Sequence, residues 1–291
     1  MTRNERWIPY LFLLPAIAGL LVFRLLPMVY AIGRSFYTTT FGQAGLVFVG
    51  SANYSALFSD PTFWQSLRTT LIFNVVANPL QTVLALMLAV LVSLPLRGIG
   101  LFRTLLFAPV GVSITVATII WGLMLDPDSG LINGILIGLH LPPQPFFTSP
   151  DQALLSIVVI ATWKGLGYWM LFFLAGLQSI PQSLYEAAAI DGATRLKAFW
   201  YITLPLLRRV IAFVLVADTT INFLLFAPVY VQTQGGPQGS TNLLMYEAYR
   251  SGFQDIDMGR ATSITTILLL LILVIVAIQL FLFSRGEDAQ G

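Results

Sequence analysis

The apolar positions of this chain neither alternate nor follow a helical stripe over most of its length. They run together. Six stretches are long enough to cross the ~30 Å of bilayer hydrocarbon, which takes about 20 mostly apolar residues in a helix: roughly 7–30, 71–94, 104–125, 153–177, 210–231 and 261–283. The last is the cleanest, with no polar side chain across residues 267–278. The pattern predicts an all-α polytopic membrane protein with six transmembrane helices, organised as one transmembrane domain over residues 1–291. The first span starts within a few residues of Met1, and its Ala16-Ile17-Ala18 sits inside a run that stays apolar to Phe23, so it is read as retained and not as a cleaved signal.

Composition agrees. With 57% hydrophobic and 10% charged residues the chain is far more apolar than a soluble domain. It has no cysteine and a single histidine, His140, so thiolate chemistry is excluded and no metal site is expected.

Charge sets the orientation. Six spans place both termini on one side, with the segments around Pro95–Arg103 and Gln178–Arg209; there lie Arg3, Arg6, Arg97, Arg103, Arg195, Lys197, Arg208, Arg209 and Arg285, against Arg34, Arg68, Arg250 and Arg260 on the other side. Cytoplasmic loops hold the excess of Lys and Arg. Both termini are therefore expected in the cytoplasm. Asp60, Asp126, Asp128, Asp151, Glu247, Asp255 and Asp257 lie on the outer side, so the net +2 is an uneven distribution and gives no sign of nucleic-acid binding. The outer segments, about 33–68, 126–152 and 232–260, are too short for a separate outer domain, and Pro15, Pro79, Pro109 and Pro228 fall inside predicted spans, where a lost N–H loosens the helix.

One cytoplasmic segment, residues 183–205, carries more information than a connector needs. Ser183 and Glu186 have the spacing of a capping box, and Ala187, Ala188 and Ala189 are strong helix formers. Asp191-Gly192 then stops the helix. Thr194 can cap a second helix, expected to end before Leu204-Pro205, because the residue before proline is pushed out of the helical region. Tyr185, Phe199, Trp200 and Tyr201 add aromatic surface near the membrane. The result is a bent, rigid knob.

Glu186-Ala187-Ala188, then Asp191-Gly192-Ala193, then Phe199, Ile202 and Leu204-Pro205 resemble the E-A-A loop of binding-protein-dependent ABC importer permeases. The likeness extends to Trp163, to Leu177-Gln178-Ser179-Ile180-Pro181, and to Thr233-Gln234-Gly235-Gly236-Pro237, which is similar to an outer turn of the carbohydrate branch. The chain resembles the first-type subunit of maltose, lactose and glycerol-3-phosphate systems; it lacks the basic, Gly-rich tail of the second type and ends in Ser284-Arg285-Gly286-Glu287-Asp288. The resemblance implies the type I importer permease fold in a bacterial or archaeal cytoplasmic membrane. It also implies an unlike second permease, two ATP-binding cassette subunits seated on the 183–205 loop, an extracytoplasmic solute-binding protein and a sugar-like solute, all within membrane lipid. ATP and Mg²⁺ would be bound by the partners and no cofactor by this chain. Consistently, there is no G-x-x-x-x-G-K-[ST] loop, and the two lysines, Lys164 and Lys197, stand in the wrong context for one. The chain is thus expected to hydrolyse nothing.

Ionisable side chains within spans are costly and point to function. They are Arg24, Lys164 and Asp218. Arg24 is expected toward the outer end of its span, snorkelling to the interface. Lys164 and Tyr168 share a helical face, as do Asp218 and Asn222. Lys164 and Asp218 admit two readings: a salt bridge joining spans four and five, or solute contacts. By register with the maltose-type permease, Lys164, Gly165, Asp218 and Asn222 fall at solute contacts, as do Val110 and Ile114. The latter two have no polar side chain, so Ser113 or Thr115 is a candidate substitute. Tyr168, Trp163 and Trp169 are candidates for an aromatic wall. A proton-driven secondary transporter using Asp218 and Lys164 is the alternative; the want of an inverted repeat argues against it.

Overall fold

The computed structural model describes residues 8–39, 45–95 and 97–284. Arg3, Arg6, the expected start of the first span at Trp7, and the terminal residues from Arg285 onward lie outside them. Two compact units separate: one takes the described residues through Phe63 together with Glu247–Leu269, and the other runs from Trp64 to Tyr246 and resumes at Leu270.

Four continuous helices are long and apolar enough to cross a bilayer: Leu11–Arg34, Pro61–Ser93, Pro150–Gln178 and Met258–Phe283. Two bent pairs, Ile99–Gly111 with Ile114–Met124 and Arg195–Leu206 with Arg208–Phe223, are long and apolar enough to be one span each. Counting each bent pair as one span gives six candidate spans, in the expected order and with altered bounds. The first continues to Arg34, which puts Arg24 nearer its middle than its outer end, in a π-helical turn over Leu21–Leu25. The second begins ten residues earlier than its apolar run, at Pro61. Its polar first turns still form helix because backbone bonding needs no apolar side chain.

The fifth span ends at Phe223 and not at Val231. Leu224 caps it at φ −94°, ψ 9°, and Pro228 opens a separate π-helical turn over Val229–Thr233. Pro79, by contrast, is absorbed in an unbroken helix. One departure from all-helix is a hairpin in the first outer segment, where Tyr37–Thr39 pairs antiparallel with Leu46–Phe48.

In the larger unit the core has two clusters. Phe73, Ala77, Ile157, Val158, Val229 and Tyr246 pack nearer the Pro61 end of the second span. Ala85, Ala89, Val92, Trp169, Met170, Phe173 and Val214 pack nearer its Ser93 end. Alanines here let helix backbones approach closely, the usual means of association where lipid removes the hydrophobic drive.

The smaller unit is held by charge. Arg260 contacts Asp60 at 2.5 Å and Glu247 at 3.0 Å, and also donates to Ser251 at 3.1 Å. Glu247 is completely buried and takes a second guanidinium, Arg250, at 2.8 Å. Removing the shared anion would leave Arg250 and Arg260 crowded together, so Glu247→Ala is expected to cost about 3–5 kcal/mol, read as a lower melting temperature of the purified protein. Burial alone would raise the Asp60 carboxyl, but the Thr62 amide and Arg260 outweigh it and hold its pKa below 3.8. A depressed folded pKa stabilises above the unfolded value and is lost as pH falls through the lowered one. Acid unfolding should accordingly shift less steeply in Asp60→Asn than in the parent, measured by melting temperature between pH 6 and 3.

Candidate solute cavity and coupling loop

Pro109 decides the shape of the third span. Helix Ile99–Phe107 tightens into a 3₁₀ turn over Ala108–Gly111, stops at Val112 and Ser113, and restarts as Ile114–Met124. The two halves meet at 103°. Carbonyls that a continuous helix would have bonded are left at the break, and the membrane offers no water to take them. Lys164 supplies the donor: its Nζ lies 2.9 Å from the Pro109 oxygen and 2.8 Å from that of Val110.

The approach that allows this is set by glycine. A Cβ on Gly167, one turn beyond Lys164, would stand 2.1 Å from the Leu106 oxygen and 2.9 Å from the Phe107 Cα. Backbone cannot yield there as a flexible side chain would.

Asp218 is buried and has its own donors. Trp169 Nε1 donates to it at 2.7 Å, and Gln81, its amide oriented by the hydrogen-bond network, donates at 2.7 and 3.2 Å. Of the two readings of Lys164 and Asp218, the salt bridge joining spans four and five is not formed. The broken span stands nearer to the ammonium, with the Val110 oxygen and with the Pro109 oxygen, which also accepts from the Val112 amide at 3.2 Å.

Lys164, Gly165, Tyr168, Asp218 and Asn222 line one cavity of about 490 Å³, with Gln81, Val110, Ile114, Trp169 and apolar residues including Ala161, Ile221, Leu225 and Phe226. Tyr168 and Trp169 form the aromatic wall, with ring centroids 4.8 Å apart in an edge arrangement. Two expected members are elsewhere. Ser113 is in extended conformation at the restart of the helix (φ −57°, ψ 140°) and does not line the cavity, whereas Val110 and Ile114 on either side of it do. Trp163 is turned about 100° round the helix from Lys164 and pairs with Trp121, with centroids 5.9 Å apart.

A polar row on the second span was missed by charge-based reasoning. Asn222 Nδ2 donates to Asn78 at 2.6 Å; Asn78 Nδ2 donates to Thr219 at 3.0 Å and to Asn74 at 3.3 Å. Gln279 donates to Thr219 at 2.9 Å. The signal was legible: Thr70, Asn74, Asn78 and Gln81 recur at i, i+4, i+8 and i+11 in an otherwise apolar helix, one polar face.

The 183–205 loop is a pair of helices, as its residues predict, with different ends. Gln182–Ile190 follows Pro181, which stands in extended conformation (φ −59°, ψ 130°) as the capping residue. Ser183 is thereby already inside the first turn, so the expected capping box with Glu186 does not form. The C-terminal stop does. Gly192 adopts φ +77°, its amide reaches the Ala189 oxygen at 3.1 Å, and the Ala193 amide reaches that of Ala188 at 2.8 Å, the paired bonds of a Schellman motif.

Thr194 then caps Arg195–Ala198 by accepting from the Lys197 amide at 3.4 Å. The helix does not end before Leu204-Pro205. It widens into a π turn over Phe199–Thr203, where the Leu204 amide bonds back to the Phe199 oxygen, and runs on as Leu204–Leu206. Tyr185 and Thr203 hydroxyls meet at 2.9 Å and tie the two helices together. Glu186, Ala187, Asp191 and Gly192 are exposed, and so are Ile190 at 87% and Leu196 at 69%.

The close approach at the break can be tested by substitution. Gly167→Ala meets backbone and should cost roughly 1–3 kcal/mol of stability. At Gly165 the nearest atom to an added Cβ is at the end of the Gln81 side-chain amide, at 3.0 Å, and not backbone, so Gly165→Ala should cost less. Melting temperatures of the two purified variants decide the order.

Residues 6–286 match the binding-protein-dependent transport system inner membrane component family. Over 280 residues the chain is 38% identical to the sn-glycerol-3-phosphate transport system permease protein UgpA of Yersinia pestis bv. Antiqua, covering 96% of this chain and 95% of that one. The UgpA of Agrobacterium fabrum is 36% identical over 273 residues, covering 94% and 93%. Among solved structures, a bacterial ABC transporter involved in import of the acidic polysaccharide alginate superposes with a TM-score of 0.82 at 24% identity, over 97% of this chain and 96% of that one. The alginate transporter in complex with its alginate pentasaccharide-bound periplasmic protein gives 0.83 over 95% and 93%. With the spans, the broken third helix and the bent loop in place, the chain belongs to the binding-protein-dependent ABC importer permeases, as an inner-membrane component of such a transport system.

Proposed function

We propose that this permease passes a small phosphorylated polyol of the glycerol-3-phosphate class through the cavity between its fourth and fifth spans, with sugars as the second candidate class. The observation that carries the proposal is the ammonium of Lys164. Two of its three donors hold the Pro109 and Val110 oxygens, and among the described residues no carboxylate pairs with it. Its remaining N–H is free to take a phosphate oxygen in a charge-assisted bond. Relatives across 96% of the chain are named sn-glycerol-3-phosphate permeases, which supports the same class. Gln81, Tyr168 and Asn222 offer polar groups for hydroxyls.

The chain itself hydrolyses nothing in this proposal. ATP and Mg²⁺ act on two cassette subunits, an unlike permease completes the pore, and an outer solute-binding protein delivers the solute. The 183–205 loop faces the cytoplasm, because Arg97, Arg103, Arg195, Lys197, Arg208 and Arg209 lie at its end of the spans. Exposed Ile190 and Leu196, beside Glu186 and the Gly192 turn, support docking into a partner groove. Ala187, Ala188, Asp191 and Ala193 shape the turn, and Leu204-Pro205 carries its motion into the fifth span. Closure of the cassettes on ATP would move this bent unit and switch the cavity's access from one side to the other.

The test is uptake by the reconstituted transporter with its own partners. ATP-dependent accumulation of sn-glycerol 3-phosphate is expected, and Lys164→Gln should weaken it by about 10–100-fold at low solute concentration. Glu186→Arg should abolish coupling while the subunits still assemble. Uptake driven by a proton gradient without ATP would overturn the importer mechanism; full activity of Lys164→Gln would overturn the solute contact alone.

A further inference from the structure

A side-chain amide has two orientations that differ by exchange of its oxygen and its nitrogen, and hydrogen bonding decides between them. In the amide row behind the solute cavity, that choice is made by a group that cannot turn over. Asn74 Nδ2 donates to the Thr70 backbone oxygen at 2.9 Å. Thr70 is itself pinned, its hydroxyl donating to the Ser66 oxygen at 2.7 Å and accepting from the Leu244 amide at 2.8 Å. A carbonyl can only accept, so the Asn74 nitrogen faces Thr70 and its Oδ1 faces the next amide, where it accepts from Asn78 Nδ2 at 3.3 Å. Asn78 in turn shows its Oδ1 to Asn222, which answers with Nδ2 at 2.6 Å. Each amide fixes the next.

A second support holds the same direction. Thr219 Oγ1 accepts from Asn78 Nδ2 at 3.0 Å and from Gln279 Nε2 at 2.9 Å, which occupies both of its lone pairs. Turning Asn78 over would set its oxygen against Asn74 Oδ1 and take a donor from Thr219. Asn74, Asn78, Thr219 and Asn222 are all buried, so each bond left unmade would cost its full desolvation. The outcome reaches the cavity through Asn222, which lines it and whose Oδ1 accepts from no group among the described residues. Asp218, one turn earlier, also accepts, from Trp169 and Gln81. The fifth span thus meets the cavity with acceptors, whereas Lys164 brings a donor from the fourth.

We propose that Asn78 is a positioning residue for solute selection: it turns the Asn222 carbonyl toward the cavity, where an O–H of the solute donates to it. A solute with an ether or carbonyl oxygen at that place would set lone pair against lone pair. One with a methylene would leave the Asn222 oxygen without a donor. Selectivity for a hydroxyl is therefore set by a backbone carbonyl at Thr70 and carried through three side chains. The inference rests on the reading that this cavity holds the solute, and it is independent of the phosphate contact at Lys164.

The assembled transporter without its solute-binding protein can be titrated with sn-glycerol 3-phosphate, with propyl phosphate, which lacks both hydroxyls, and with glycerol, which lacks the phosphate. Equilibrium dialysis reads the binding. Propyl phosphate should bind about 10-fold more weakly than sn-glycerol 3-phosphate. Asn78→Leu, close in volume but without an acceptor, frees Asn222 to turn over and should remove that preference; a merely structural loss would weaken all three solutes together. Asn78→Asp keeps an oxygen toward Asn222 and should retain the preference. Should Asn78→Leu fail to assemble, Asn222→Leu deletes the acceptor itself and should bind the two phosphates alike. Equal binding of the two phosphates by the wild type, an unchanged preference in Asn78→Leu or Asn222→Leu, or its loss in Asn78→Asp would overturn the proposal. Binding of sn-glycerol 3-phosphate no tighter than that of glycerol would overturn the Lys164 contact alone; glycerol against 1-propanol then reads the hydroxyl preference, and equal binding of those two would overturn it as well.

Discussion

A lysine and a helix break in a membrane interior support each other in the larger unit of this protein. A lysine inside a span is expensive because hydrocarbon cannot solvate it, and a broken helix is expensive because its carbonyls have no donors. Lys164 meets the Pro109 and Val110 oxygens at 2.9 and 2.8 Å, and the two costs offset. Much follows from that contact. It fixes the third span to the fourth at its bend, demands glycine at position 167, and leaves Asp218 to Trp169 and Gln81. The cavity keeps a cation and a carboxylate on separate supports, where a direct pair would have consumed both.

How far this was legible in the sequence depends on whether a feature is summed or singular. The spans were legible because hydropathy adds over some twenty residues, and small errors average out. Their ends were not. Proline decides ends locally, and it acts differently at Pro79, inside an intact helix, at Pro109, in a break, and at Pro228, just beyond one. The same holds in the loop. Asp191-Gly192 was readable because few conformations other than a left-handed turn suit it, while the Ser183-Glu186 box was overruled by Pro181, which starts the helix too early for Ser183 to cap it.

At the cavity, residue type marked side chains that the fold gathers, but not their partners. Lys164, Tyr168, Asp218 and Asn222 could be singled out because polar groups are scarce in spans, and the cavity gathers all four. Opposite charge suggested that Lys164 should pair with Asp218, yet a backbone carbonyl is an equally good acceptor, and carbonyls are invisible to side-chain reasoning. Val110 and Ile114 show the converse: they line the cavity while Ser113 between them does not. The amide row of Asn74, Asn78 and Gln81 escaped notice because uncharged side chains do not announce themselves as charges do. Its spacing places it on one face, and its bonds to Asn222, Thr219 and Asp218 make it the polar backing of the fifth span.

Gly192 combines a left-handed backbone at φ +77° with empty surroundings, since nothing lies within 4 Å of where its Cβ would be. The constraint there concerns handedness and has nothing to do with volume. A D-alanine would fit where L-alanine strains, and a bulky D-residue would be accommodated as readily as a small one. The loop's contact surface is thus punctuated by a position whose identity is dictated by chirality, with an open flank left for whatever approaches it.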